Sequence, residues 1–251
     1  MDYDADGDLD ILSGSYTGEV YLFERLESGR FSQGRFLTLA NGSPLSCSTS
    51  ITPEAVDMDG DGDLDLVIGS RTSGVFVIIN QGTRQAPTWS AKPTQLKTVT
   101  GKTVKGSNAH HADWDGDGLR DLVVGSEWGE AAWYRNVGKN RLPRYSDRVT
   151  LIARQKYVEI GAGTTPTHPG SRTKVHVTDY NGDGRVDLLV GDVQWHWKTL
   201  TPLTPEKKLE KMRLVQRGNR LSILPVVSTA TCLRPLIWKY RRTRFCLTIV
   251  C

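Results

Sequence analysis

Four times along the chain a polar, aspartate-rich stretch gives way to a short apolar run that ends in glycine: ILSG, LDLVIG, DLVVG and DLLVG. Each run is four to six residues of mostly β-branched side chains bounded by turn formers, the pattern of a buried strand. The second unit reads as a strand over Leu64–Gly69, a turn over Arg71–Gly74 and a strand over Val75–Asn80. The third repeats this with Leu122–Gly125, a turn at Trp128–Gly129 and a strand over Ala131–Arg135. An Asn-x-Gly followed by proline and an aromatic closes both units: Asn80, Gly82, Pro87, Trp89, and Asn136, Gly138, Pro143, Tyr145. Before the next polar stretch, Ser50–Val56 and Lys174–Thr178 again read as strand. Units of about 55 residues with roughly four strands each predict an all-β repeat protein, and four strands are the content of one propeller blade. Only Leu203–Gln216 reads as a helix, with Thr204 as N-cap and Pro205 at its first position.

The polar stretches carry the chemistry. They begin at Asp2, Asp57, Asp113 and Asp179, and in the second of them Asp57, Asp59, Asp61 and Asp65 hold positions 1, 3, 5 and 9, with Asp63 at 7 and Gly62 at the bend. Calcium takes six to eight oxygens, and a tight loop offers them from side chains at 1, 3, 5 and 9 with a carbonyl at 7. Five carboxylates so close repel one another without a cation. The first copy has Asp2, Asp4, Asp6, Asp8 and Asp10 around Gly7; the third has Asp113, Asp115, Asp117 and Asp121, with Leu119 at position 7 offering its carbonyl. In the fourth, Asn181 joins Asp179, Asp183 and Asp187, with Arg185 at position 7, so one charge is lost and weaker binding than in the second copy is expected. Three to four calcium sites are predicted, at 2–10, 57–65, 113–121 and 179–187. The ladder also opens an EF-hand, but that loop needs a chelating glutamate at position 12, where this chain has Ser13, Ile68, Val124 and Val190. A calmodulin-like sensor is excluded.

The D-x-[DN]-x-D-G-x-x-D-L ladder, the strand ending in Gly-Ser and the Asn-x-Gly…Pro-aromatic tail together resemble FG-GAP or VCBS-type repeats over residues 1–197. The resemblance implies calcium-bearing blades of a β-propeller, as in integrin α-chain heads and many bacterial surface proteins. The Phe-Gly and Gly-Ala-Pro signatures are missing, which favours the VCBS-like subtype and implies no integrin-style ligand binding. About three and a half blades are expected, and closing a ring of four would require the tail to supply strands. Met1 stands directly before the first ladder with no strand and no signal peptide ahead of it, which reads as a truncated start.

Composition adds three points. The formal charge of +4 conceals a segregation, since well over half of the 28 acidic residues lie in the ladders while the chain from Lys211 onward is basic without one acidic residue. Residues 198–251 are thus read as the helix followed by an irregular basic tail, a non-native or disordered extension rather than a nucleic-acid patch, and the tail is too interrupted by Pro225, Arg234 and Pro235 to span a membrane. Only Cys47 of four cysteines falls in the repeats, so metal rather than disulfides is expected to hold them. Sites of modest affinity fill where calcium is near millimolar, hence the expected extracytoplasmic location.

Nothing forms a nucleophilic triad, a phosphate loop or a paired-cysteine site. Glu54, His110 and His176 each stand three residues before a ladder, at equivalent positions, and would converge on a central channel if those strands are innermost. Two histidines and a carboxylate make a transition-metal or acid/base set, although separate polar residues are the commoner outcome. His111 and the Trp195-His196-Trp197 run are weighed in the same way. The expected function is a non-catalytic binding, adhesion or scaffold module, a monomer or part of a longer propeller chain, for a protein or carbohydrate ligand. The alternative is a propeller enzyme of polysaccharide-lyase type.

Overall fold

The structure, a computed structural model, describes residues 1–154 and 170–193, the backbone of 194–196 and 242–250, and Glu206 and Leu209. Two compact units divide the chain; the cores, ladders and clefts below belong to the first, made of Met1–Tyr157, His168–Val193 and Phe245–Cys251.

The described residues are all-β apart from helical positions at Glu206 and Leu209. The strands are β1 (Ile11–Gly14), β2 (Val20–Phe23), β3 (Arg35–Phe36), β4 (Ile51–Val56), β5 (Asp65–Ser70), β6 (Gly74–Ile78), β7 (Thr94–Gln95), β8 (Asn108–Ala112), β9 (Asp121–Gly125), β10 (Ala131–Tyr134), β11 (Val149–Ile152), β12 (Ser171–Thr178), β13 (Asp187–His196) and β14 (Arg242–Val250). They form four sheets in the orders β1-β2-β3, β4-β5-β6-β7, β8-β9-β10-β11 and β12-β13-β14, and among the described residues no sheet closes on itself. The two full sheets have the four strands expected of a unit. The predicted helix otherwise lies outside the described residues, as do the side chains of Trp195, His196 and Trp197. Part of the tail differs from expectation: Arg242–Val250, read as irregular, is a strand at the edge of the fourth sheet.

Two of the apolar runs, β5 and β9, are strands buried on both faces, whereas β1, expected to be buried, leaves Ile11 exposed. Leu66 and Ile68 of β5 enter a core with Val20, Leu22 and Trp89, while Val67 between them enters another with Val104, Leu122 and Tyr145. In β9, Leu122 and Val124 join that second core and Val123 a third with Val175, Val177 and Val190. Each such strand is shared by two cores, which is why it reads as a continuous apolar run rather than an alternation.

The glycine ending each of the first three runs is required by the next sheet. A Cβ on Gly69 would lie 2.7 Å from Asn108 N; one on Gly14 or Gly125 would strike Ile51 O or Thr173 O. So β1 seats β4, β5 seats β8 and β9 seats β12, and β4, β8 and β12 lie side by side in turn.

Candidate metal centres

The second, third and fourth ladders are each the hairpin between the first two strands of a unit, and the first ladder leads into β1. Val56 pairs with Asp65, Ala112 with Asp121 and Thr178 with Asp187, so position 9 is the first residue of the returning strand. That aspartate is buried in every copy: Asp10, Asp65, Asp121 and Asp187. Its oxygens are acceptors for backbone. Asp65 takes N–H bonds from Met58 (2.9 Å) and Asn80 (2.8 Å), Asp121 from Trp114 (3.2 Å) and Asn136 (2.7 Å), and Asp10 from Tyr3 and Arg25 (both 2.8 Å). Asp187 accepts from Tyr180 at 3.1 Å. Position 9 thus ties the start of its loop to the end of the third strand. The Asn-x-Gly tail continues the wiring, with Asn80 Oδ1 accepting from Gly82 N and Thr88 N, and Asn136 Oδ1 from Gly138 N and Arg144 N.

The bend needs left-handed backbone at two places. Gly7, Gly62, Gly118 and Gly184 at position 6 have φ between 84° and 98°, as their place in the ladder predicts. Position 4 is left-handed too, at Gly60, Gly116 and Gly182, but in the first ladder Ala5 occupies it at φ 64°.

Acidic oxygens converge within 4.8 Å of one another in three ladders: Asp2, Asp4 and Asp6; Asp57, Asp59 and Asp61; Asp113, Asp115 and Asp121. The first two retain buried oxygens that no donor reaches, Asp2 Oδ1, Asp8 Oδ1 and Asp63 Oδ1. Burial, reinforced by Asp61 and Asp65, pushes Asp63 up to about 6. A surplus of oxygens without donors fits a hard divalent cation.

The other two ladders satisfy themselves. In the third, Arg135 brings its Nε to 2.7 Å from Asp115 Oδ2 and its Nη2 to 2.9 Å from Asp117 Oδ2, and Asp113 accepts from the N–H groups of Gly116, Asp117 and Gly118. In the fourth, Asp179 accepts the equivalent three bonds from Gly182, Asp183 and Gly184, and Asn181 Nδ2 donates to Asp183 Oδ2 at 3.2 Å. Leu119 and Arg185, at position 7, donate N–H to Asp117 and Asp183, as Asp8 and Asp63 do to Asp6 and Asp61. Arg135 was not singled out by the ladder; its signal is a cation directly before Asn136, where the second unit has Ile79 before Asn80.

Glu54, His110 and His176 do come together, from β4, β8 and β12. His110 Nδ1 lies 2.7 Å from Glu54 Oε1, and the His110 and His176 rings are 4.3 Å apart by centroid. His111, on the opposite register of β8, also reaches Glu54: its Nδ1 is 2.9 Å from Oε2, its backbone N–H bonds the carboxylate, and its Nε2 is 3.1 Å from Tyr145 Oη. Burial alone would raise Glu54, but the two histidines outweigh it and hold the carboxyl at about 2. Burial opposes charge on His110, yet Glu54 raises it; burial and charged His110 lower His176. Their ligand atoms do not converge as a metal trio, since both Glu54 oxygens already accept from histidines.

No curated protein and no solved structure matches this chain. The FG-GAP-like repeat matches residues 2–68 and 113–190, more than half of the sequence. With its ladders and strands in the register those repeats require, the chain belongs to the FG-GAP-like repeat family.

Proposed function

We propose that this chain is a calcium-stabilised β-propeller module that works by binding rather than by catalysis, its sheets serving as blades and its ladders as ion sites. The observation that carries the reading is the surplus of donor-less oxygens in the first two ladders, which hard cations satisfy. Four antiparallel sheets, three of them with first strands β4, β8 and β12 side by side, support the blade assignment. Calcium at a hundred times its dissociation constant would add about 2.7 kcal/mol per site. Such sites suit an extracytoplasmic setting, and partners there would be a protein or a carbohydrate. No described helix is long and apolar enough to cross a membrane. The test is a thermal melt of the full chain in millimolar calcium and in excess chelator, with calorimetric titration. A melting point raised by calcium and binding at two strong sites are expected; an unchanged melt refutes the reading.

A second reading, an enzyme with acid/base chemistry between the sheets, is favoured by the convergence of Glu54, His110 and His176. It requires turnover of a polysaccharide that His110→Gln or Glu54→Gln abolishes without changing the melt. Both Glu54 oxygens are engaged by histidines, however, so the cluster serves first as a tie between three sheets.

A further inference from the structure

In the first three units the strand after the ladder is joined to the next by a short turn at the end opposite the ladder, and these three turns meet. The β1–β2 turn presents Tyr16, 74% exposed, and the β9–β10 turn presents Trp128, 58% exposed. Between them the β5–β6 turn supplies Arg71 and Thr72, and all four side chains border one hollow of about 260 Å3. Two large aromatics left in water on the same rim are costly to expose and are well placed to stack on a ligand.

The turns are built rigidly. Ser15 Oγ accepts from the N–H groups of Gly18 and Glu19, both at 2.8 Å, and Ser126 Oγ accepts from Trp128 and Glu130, both at 3.2 Å. Arg154 lies 4.9 Å over the Trp128 ring and steadies it. The floor is polar: Arg71 pairs with Glu127 at 2.8 Å, and the Thr49 and Thr72 hydroxyls are 3.3 Å apart. A wider cleft of about 900 Å3 continues from Arg71 and Trp128 between the second and third sheets, lined by hydroxyls. Most of its charged side chains are matched within the protein, Lys102 with Asp147, Arg148 with Glu130 and Arg71 with Glu127, and only Lys105 of its lining has no ion pair among the described residues. Charges so nearly compensated give little field to gather a charged ligand, whereas aromatic rims over paired polar groups suit an uncharged, hydroxyl-rich one.

We propose that this cleft binds a neutral oligosaccharide, with Tyr16 and Trp128 stacking on sugar rings and the Arg71–Glu127 pair, Thr49 and Thr72 bonding their hydroxyls. The proposal rests on the reading of the chain as a binding module and names the class of its ligand. Its length, running from the first sheet's turn to the third sheet, calls for a chain of sugars rather than one.

The experiment titrates the full chain, in millimolar calcium, with cellohexaose, mannohexaose, xylohexaose, chitohexaose and hexagalacturonate by calorimetry. At least one neutral hexasaccharide should bind, and Trp128→Ala and Tyr16→Ala should each weaken it at least tenfold while leaving the melting point and calcium stoichiometry unchanged. No binding by any neutral probe overturns the proposal. So does binding that both substitutions leave intact, or a preference for hexagalacturonate. Sugar binding in a chain indifferent to calcium would support the cleft while refuting the metal reading, so the two failures are distinguishable.

Discussion

The second and third ladders carry nearly the same text and resolve the same electrostatic problem differently. At 57–65 the carboxylates crowd with a buried, donor-less oxygen on Asp63 and an apolar Ile79 at the end of the unit's third strand. At 113–121 the acidic residue at position 7 is replaced by Leu119, and Arg135, in the place of Ile79, lays its guanidinium across Asp115 and Asp117. The Leu119 N–H and then Arg135 hold Asp117 below its ordinary range, while Asp63 is pushed above it. A crowded set of carboxylates needs positive charge; the chain offers it from within in one unit and not in the other, where the proposed reading assigns it to a bound cation. One residue directly ahead of the Asn-x-Gly tail makes the choice.

The comparison is broken most forcefully at the residue the two ladders share. Asp65→Ala and Asp121→Ala each strip the acceptor from two backbone N–H groups in a buried place. Unsatisfied buried donors cost about 1–3 kcal/mol each, so a loss of about 2–6 kcal/mol is expected for both, in calcium and in chelator alike. Urea denaturation measures it; a loss confined to calcium-loaded protein would make position 9 a ligand rather than a tie.

Arg135→Ile gives the third unit the second unit's residue. Calorimetry should then register one more calcium than the parent chain, worth about 2.7 kcal/mol of added stability at a hundred times its dissociation constant. Without calcium the loss should be small, because the Arg135 guanidinium is largely exposed and its ion pairs are screened by solvent. An unchanged stoichiometry would mean that the guanidinium does not decide occupancy.

Between the two units, the Glu54 cluster supplies a pH-dependent difference unrelated to ions. Glu54 stays charged across the working range. His110 is raised by that charge, so its contribution is complete below pH about 6.5 and is lost as pH rises through its folded value. His176 is lowered, so its contribution runs the other way, present above its unfolded value and lost as pH falls. His110→Gln should therefore remove the decline in stability above pH about 6.5, and proton NMR of the histidines checks the two directions; a His110 titrating below His176 would contradict the arrangement.

The smallest effect belongs to the first ladder. Ala5 holds the left-handed backbone that glycine holds in the other three, and Ala5→Gly should stabilise by about 1 kcal/mol or less, read as a small rise in urea midpoint.

The strands, the ladders and the Asn-x-Gly wiring were legible because each lies within one unit, where spacing along the chain fixes spacing in space. Gly62 was legible as a bend, whereas position 4 was not, since its requirement shows only when Ala5 is compared with Gly60, Gly116 and Gly182 in backbone angle. Convergence of Glu54 with His110 and His176 followed from their equivalent positions, but His111 did not, because alternation assigns it to the other side of β8 while its own backbone N–H turns Glu54 toward it. Contacts between units, such as Gly69 under Asn108 or Tyr16 beside Trp128, depend on how one sheet lies on the next, which no local period encodes.

One consequence concerns how the central strands keep their alignment. A strand with one wet face cannot slip by a residue without carrying its apolar side chains into water. β5 and β9 have no wet face, so a slip would merely exchange Leu66 and Ile68 with Val67 between two greasy layers. What forbids it is punctuation at the ends: Asp65 must stay opposite its two amides, and Gly69 must stay under Asn108. The aspartate and the glycine act as start and stop marks for a strand whose own letters are interchangeable, and sequence drift between them is tolerable only while both marks hold.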